Sequence, residues 1–216
     1  MTLKYRRPVQ IIFLAAFVFL MVMGRIQLWM AVFLVGLIGA AVFGRFYCGY
    51  ICPINTLTEA TDWLYKKMGI NRIEVPGWAK NKIVRYGVLT VFLGIMIMTL
   101  RTGRKLPVLP ILTILGTAIT LIFVPSFWHR YLCPYGTLLN ITGSVSKYYW
   151  RVDETGCKKC GVCERVCPGE AVKTNGGNGY PVIDKGFCLE CAACANACPT
   201  ASIVYSKKGL KDANTV

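Results

Sequence analysis

Eight cysteines fall between Cys157 and Cys198 as two quartets with two, two and three intervening residues, each quartet closed by Cys-Pro. No other feature restricts the fold as much, because a C-x2-C-x2-C run must wrap its backbone around whatever the thiols hold. Secreted disulfide frameworks do not use this spacing, and free thiolates need a reducing compartment. A four-iron cubane takes four thiolates. The loop supplies three, and in the bacterial arrangement the cysteine before proline crosses to the other cluster. The spacing therefore assigns Cys157, Cys160, Cys163 and Cys198 to one [4Fe-4S] cluster, and Cys188, Cys191, Cys194 and Cys167 to a second. Structural zinc rarely uses the quartet twice with a proline after each last cysteine.

The surrounding sequence repeats as well, CKKCGVCERVCPGEAV at 157–172 resembling CLECAACANACPTASI at 188–203. Gly, Asn and Pro between them mark turns around a short strand expected at Tyr180–Ile183. Residues 151–206 read as an α+β domain with the layout of a bacterial 2[4Fe-4S] ferredoxin, and 207–216 as a polar tail. Lys158 and Lys159, beside the first loop, read as an exposed charged face.

The rest of the chain has a different character. With 55% hydrophobic and 16% charged residues and a mean hydropathy of +0.49, the protein is too apolar for an ordinary soluble domain. Uncharged stretches at 8–24, 26–44, Tyr86–Leu100 and Leu106–Trp128 predict four transmembrane helices in a module covering 1–150. The third is short and relies on Arg85 and Arg101 reaching toward headgroups. The N-terminus starts like a signal peptide but lacks a small-residue cleavage site before Arg25, and is read as a retained helix.

The net charge of +15 would suggest nucleic acid if it were spread over a soluble domain. Instead +13 lies on residues 1–150, flanking the apolar stretches, and nucleic acid is not expected as a partner. Twelve basic residues fall in the segments on one side of the expected membrane module and four on the other, which puts both termini and every cysteine motif in the cytoplasm, in a multi-pass protein of the inner membrane.

Inside the membrane module, FYCGYICPINTL at 46–57 matches FWHRYLCPYGTL at 127–138 at Phe, Tyr, Cys, Pro, Thr and Leu, a two-fold internal repeat. Helical spacing follows each Cys-Pro: Ile54, Leu57, Thr61, Leu64 and Met68 in one half, Leu138, Ile141, Val145 and Tyr148 in the other. Proline at the first helical position would leave Cys52 and Cys133 at helix N-termini. The repeat aligns the only histidine, His129, with Cys48. Cys48, Cys52, His129 and Cys133 are thus a candidate third site, for a further iron-sulfur cluster or a single metal. The neighbouring Phe46, Tyr47, Tyr50, Phe127, Trp128, Tyr131 and Tyr135 suit an interfacial aromatic belt, or the frame of a quinone ring. No span carries a central charge, and no Rossmann, Walker or nucleophile-triad pattern occurs.

FYCGYICP, YLCPYG and the double cysteine motif, in this order after four apolar stretches, resemble the membrane-bound ferredoxin-type proteins like NapH and the related C-terminal region of NosR. The resemblance implies a quinol-linked electron-transfer subunit with cytoplasmic clusters, and it carries over the eight ferredoxin cysteines with Cys48, Cys52 and Cys133. His129 departs from it, since NapH-like proteins have cysteine there. The expected role is a subunit of a quinone-linked oxidoreductase complex, relaying electrons between a soluble donor or acceptor and quinone. An accessory metalloreductase that serves another enzyme, and a passive anchor for a ferredoxin domain, are the alternatives.

Overall fold

The computed structural model describes residues 3–102, 107–174 and 179–207. The chain divides into two compact units, Met1–Val9, Met30–Ile51 and Leu139–Val216 in the first, Gln10–Trp29 and Cys52–Leu138 in the second. Helix α1 spans Leu3–Val22, α2 Leu28–Phe43, α3 Pro53–Met68, α4 Lys82–Thr102, α5 Val108–Ile122 and α6 Pro134–Gly143. Tyr5–Val22 and Lys82–Thr99 are long and apolar enough to cross a membrane, and α2 and α5 are shorter apolar helices. Only 17% of each long window is buried, and Ile11, Ile12, Phe19 and Val22 on α1 and Ile83, Val91, Ile97 and Met98 on α4 lie open. Exposed apolar faces of this size mark surfaces that lipid or another protein covers.

The first unit contains the cysteine quartets. Strand β1 (Tyr148–Val152) pairs antiparallel with β4 (Ile203–Lys207), Tyr148 opposite Lys207 and Val152 opposite Ile203, and β2 (Val172–Lys173) pairs with β3 (Val182–Ile183). Two single-turn helices, α7 (Val162–Arg165) and α8 (Ala193–Ala197), carry the third cysteine of each loop. Cys163, Val172, Cys194 and Ile203 form a buried cluster in this unit, with Trp150, Val152, Val166 and Ile183 packed around it. The end of α2 joins the same unit. Lys147 N donates to Val42 O at 3.1 Å, Tyr205 Oη to Phe43 O at 3.1 Å, and the Phe43, Tyr148 and Tyr205 rings stack in series. Gly36 and Gly39 give α2 a shallow face that seats Tyr47 and Phe46, since a Cβ at either would stand 2.6 or 2.7 Å from those rings.

In the second unit α3 packs along α5. Gly116 of α5 leaves room for Trp128 and Ile54, and Val75, Ala79 and Phe127 form a small core with Ile119 and Phe123. Gly69, at φ +67°, ends α3 in the left-handed conformation that suits glycine.

Several boundaries differ from those expected. Leu106, the start of the fourth apolar stretch, lies outside the described residues, as do 208–216 of the tail. The helix there stops at Ile122 rather than running to Trp128. Pro125 drives Val124 away from helical geometry, and Ile73 bridges to Phe123, with Ile73 N on Ile122 O and Val124 N on Ile73 O. Arg85 does not reach outward. It is buried inside α4, its Nε donating to Thr137 Oγ1 at 3.3 Å. The helix after Cys133 ends at Gly143, where an added Cβ would press on Arg45, and Tyr148 belongs to β1 instead. The expected strand at Tyr180–Ile183 shrinks to Val182–Ile183, because Pro181 has no N–H to offer a ladder.

Candidate functional site

Both cysteine loops of the first unit share one backbone. Lys159, Gly161 and Glu170 have φ of 54°, 70° and 49°, and Glu190, Ala192 and Ala201, at the same offsets in the second loop, have 54°, 57° and 51°. Five of these six are not glycine, and each non-glycine residue held there costs roughly 1–2 kcal/mol. Left-handed residues next to right-handed ones turn successive N–H groups toward one concave side, the arrangement that receives anions and iron-sulfur groups. Ala171 N accordingly donates to Cys167 Sγ at 3.2 Å, and Cys198 Sγ lies 3.6 Å from Thr200 Oγ1.

A small cavity, partly open to solvent, is lined by Cys157, Cys160, Cys163 and Cys198 together, with Val152, Pro181 and Ile203 as its apolar wall. Cys167 lies near Cys194 in the other loop, and Cys188, Cys191 and Cys194 are buried while Cys160 is exposed. Burial pushes the Cys188 thiol well up and the Cys194 thiol up to about 12, with neighbouring cysteines adding to it. Burial raises Cys198 too, but hydrogen bonds from Thr200, Ser202 and Ala201 outweigh it and its thiol is lowered overall. Burial also lifts the Glu190 carboxyl, between Cys188 and Cys191, to about 8.

These features fit four-iron clusters. Each loop offers soft sulfur donors and a backbone that turns N–H groups toward them, and Val152, Pro181 and Ile203 give the first an apolar wall on one side. Among the described residues no three His, Cys, Asp or Glu side chains could hold a single metal ion.

The two Cys-Pro junctions are also alike. Residues Tyr47–Ile51 and Phe127–Leu132 each form a turn of π-helix, a form that recurs at functional sites. Cys52 (φ −65°, ψ 119°) and Cys133 (φ −75°, ψ 112°) then extend the chain, and Pro53 and Pro134 start the helices. Thr56 and Thr137 each return their N–H and hydroxyl to the cysteine carbonyl.

Cys48 belongs to the first unit and is buried, and Arg45 Nη2 donates to its Sγ at 3.6 Å. Arg45 Nη1 also donates to Gly186 O at 3.2 Å, and Arg6 Nε to Gly49 O at 3.0 Å. Cys52, His129 and Cys133 belong to the second unit, all buried. There Gly136 N donates to Cys133 Sγ at 3.3 Å, and burial, reinforced by Cys133 and Cys52, raises the Tyr135 phenol.

The aromatic set is not a belt. Tyr47, Phe127, Trp128 and Tyr135 are in the interior, with Tyr47 edge-on to Phe33, Tyr135 to Phe92 and Phe127 tilted against Phe123, and of the seven only Phe46, Tyr50 and Tyr131 are partly open. Sequence reasoning missed Arg6, Arg45, Gly49 and Thr58. The two arginines counted only as loop charge, although an arginine three residues from a cysteine on one turn was a usable signal.

Residues 26–71 and 106–151 each match the family described as a 4Fe-4S binding domain, and 144–203 match a 4Fe-4S dicluster domain. The electron transport protein YccM of Escherichia coli is 27% identical over 145 residues, 56% of this chain and 41% of that one. The ferredoxin-type protein NapH of Haemophilus influenzae is 29% identical over 157 residues, 61% of this chain and 53% of its own. The regulatory protein NosR of Pseudomonas aeruginosa is 26% identical over 153 residues, 60% of this chain and 21% of its own. The chain thus spans about half the length of the first two relatives and less of the third. No solved structure matches.

Proposed function

We propose that this chain, similar to the ferredoxin-type proteins NapH and NosR and to a protein named for electron transport, relays electrons between a soluble redox partner and quinone as one subunit of a membrane complex. The supporting observation is that a cavity lined by Cys157, Cys160, Cys163 and Cys198 occurs in the same compact unit as the end of the apolar helix α2. A redox site is then built into the part of the chain that meets the bilayer.

In this reading residues 1–150 form a four-span module, 151–206 a double-cluster domain, and both termini face the cytoplasm. The first quartet holds one [4Fe-4S] cluster, and Cys188, Cys191, Cys194 and Cys167 a second. When bound, such clusters supply reversible one-electron chemistry. The protein contributes the rest. Val172 and Ile203 exclude water between the loops, and the left-handed residues aim backbone N–H groups at the sulfurs. In the second unit Cys52, His129 and Cys133, each buried at a turn of matching shape, are candidate ligands for a further cluster rather than for a single metal ion.

The test is anaerobic purification of the full chain from membranes, followed by iron counting, redox-titrated EPR and quinone reduction. Two four-iron signals and quinone-dependent turnover are expected. Iron near zero, or stoichiometric zinc, refutes the cofactor. Iron-loaded protein that never reacts with quinone refutes the relay. A periplasmically active alkaline phosphatase fused after Val216 refutes the orientation.

A further inference from the structure

Gly49 lies in the π-helical turn that follows α2, and it has no room for a side chain. A Cβ there would collide with Leu189 O and stand 3.4 Å from Glu190 C and 3.5 Å from Cys191 N, all backbone atoms of the second cysteine loop. The turn residues Tyr47, Cys48 and Gly49 are buried. Gly44, just before them, meets the Glu190 side chain in the same way, with an added Cβ 2.5 Å from Oε1. Two buried arginines hold the junction. Arg6 Nε donates to Gly49 O at 3.0 Å, and Arg45 bridges Gly186 O and Cys48 Sγ.

The first loop has the opposite surroundings. Cys160, Lys158 and Lys159 are exposed, and the cavity bounded by Cys157, Cys160, Cys163 and Cys198 opens to solvent.

From this asymmetry we infer that the two loops are ordered along the electron path: the Cys157–Cys163 loop exchanges with the soluble partner, the Cys188–Cys194 loop with the membrane side, and Gly49 is the positioning residue that sets the second approach. The inference rests on the proposed relay. In either direction each electron lost by the donor is gained by the acceptor, a soluble one-electron carrier at one end and quinone, taking two electrons in turn with two protons, at the other. Gly49 serves by being absent as a side chain. It lets the turn after α2 meet the Leu189–Cys191 backbone directly, an approach that any larger residue would have to widen.

The test uses the full chain in lipid nanodiscs, with each EPR signal assigned through Cys157→Ser and Cys188→Ser. A soluble dysprosium chelate should speed the relaxation of the signal that Cys157→Ser alters and spare the other. Gly49→Ala should shift the midpoint potential of the second signal and leave the first unchanged. Equal enhancement of both signals, or a Gly49→Ala shift confined to the first signal or missing from both, overturns the ordering. If Gly49→Ala does not assemble, the wild-type relaxation contrast decides alone. Protein without clusters would instead refute the relay beneath this inference.

Discussion

Thr58 Oγ1 and His129 Nε2 are 3.1 Å apart, and a second hydrogen bond fixes which of them donates. The Thr58 hydroxyl gives its only proton to Asn55 O at 3.0 Å, so it accepts from the imidazole. Nε2 therefore carries the proton in the neutral ring, and Nδ1 is the basic nitrogen. Because the chain has a single histidine, its ¹⁵N spectrum needs no assignment, and it should show the Nε2–H tautomer. Thr58→Val should disturb that tautomer and cost about 1–3 kcal/mol by stranding a buried donor. A spectrum of the Nδ1–H form in the wild type would contradict the argument.

Exchange of the crossing ligands gives a second expectation. Cys198→Ser should degrade the signal that Cys157→Ser also degrades, and Cys167→Ser the one that depends on Cys188. EPR of the two variants checks this, and parallel loss within the contiguous quartet, Cys167 with Cys157, would reverse the assignment.

Iron removal should be felt first where the backbone is strained. A bound cluster would help to compensate the left-handed residues at Lys159, Glu170, Glu190, Ala192 and Ala201. Anaerobic chelation should abolish amide-exchange protection in both loops and leave α4 and α5 protected. Unchanged protection in the loops would show that packing alone maintains them.

Gly116 offers a test of packing in the second unit. An added Cβ would stand 2.6 Å from the Trp128 ring and 2.9 Å from Ile54 Cγ2, so Gly116→Ala should cost about 1–3 kcal/mol by overpacking. Thermal unfolding in detergent would measure it, and a neutral result would mean that Trp128 can move.

The features that sequence made legible are those with a strict period or spacing. Both cysteine loops, the Cys-Pro helix starts and the apolar helices are of this kind, because each follows from a local rule: ligand reach, the fixed φ of proline, or transfer of apolar surface. What stayed illegible depends on partners distant in the chain. Arg85 turns inward because Thr137, far along the chain, accepts its hydrogen bond. The fourth apolar stretch ends early because Ile73 pairs with Phe123. Gly49 looked like one more glycine in FYCGY, and only the backbone of Leu189 against it gives it a purpose.

The lengths of α2 and α5, 16 and 15 residues, set a depth. At 1.5 Å per residue they reach about 24 and 22 Å, short of the roughly 30 Å hydrocarbon layer. In a bilayer the π-helical turns that follow them would sink below the headgroup plane, where irregular backbone survives only if protein covers it. Tyr47, Cys48 and Gly49, and Phe127, Trp128 and His129, are all covered. For the proposed relay, bilayer thickness then becomes a variable to which the rate of exchange should respond.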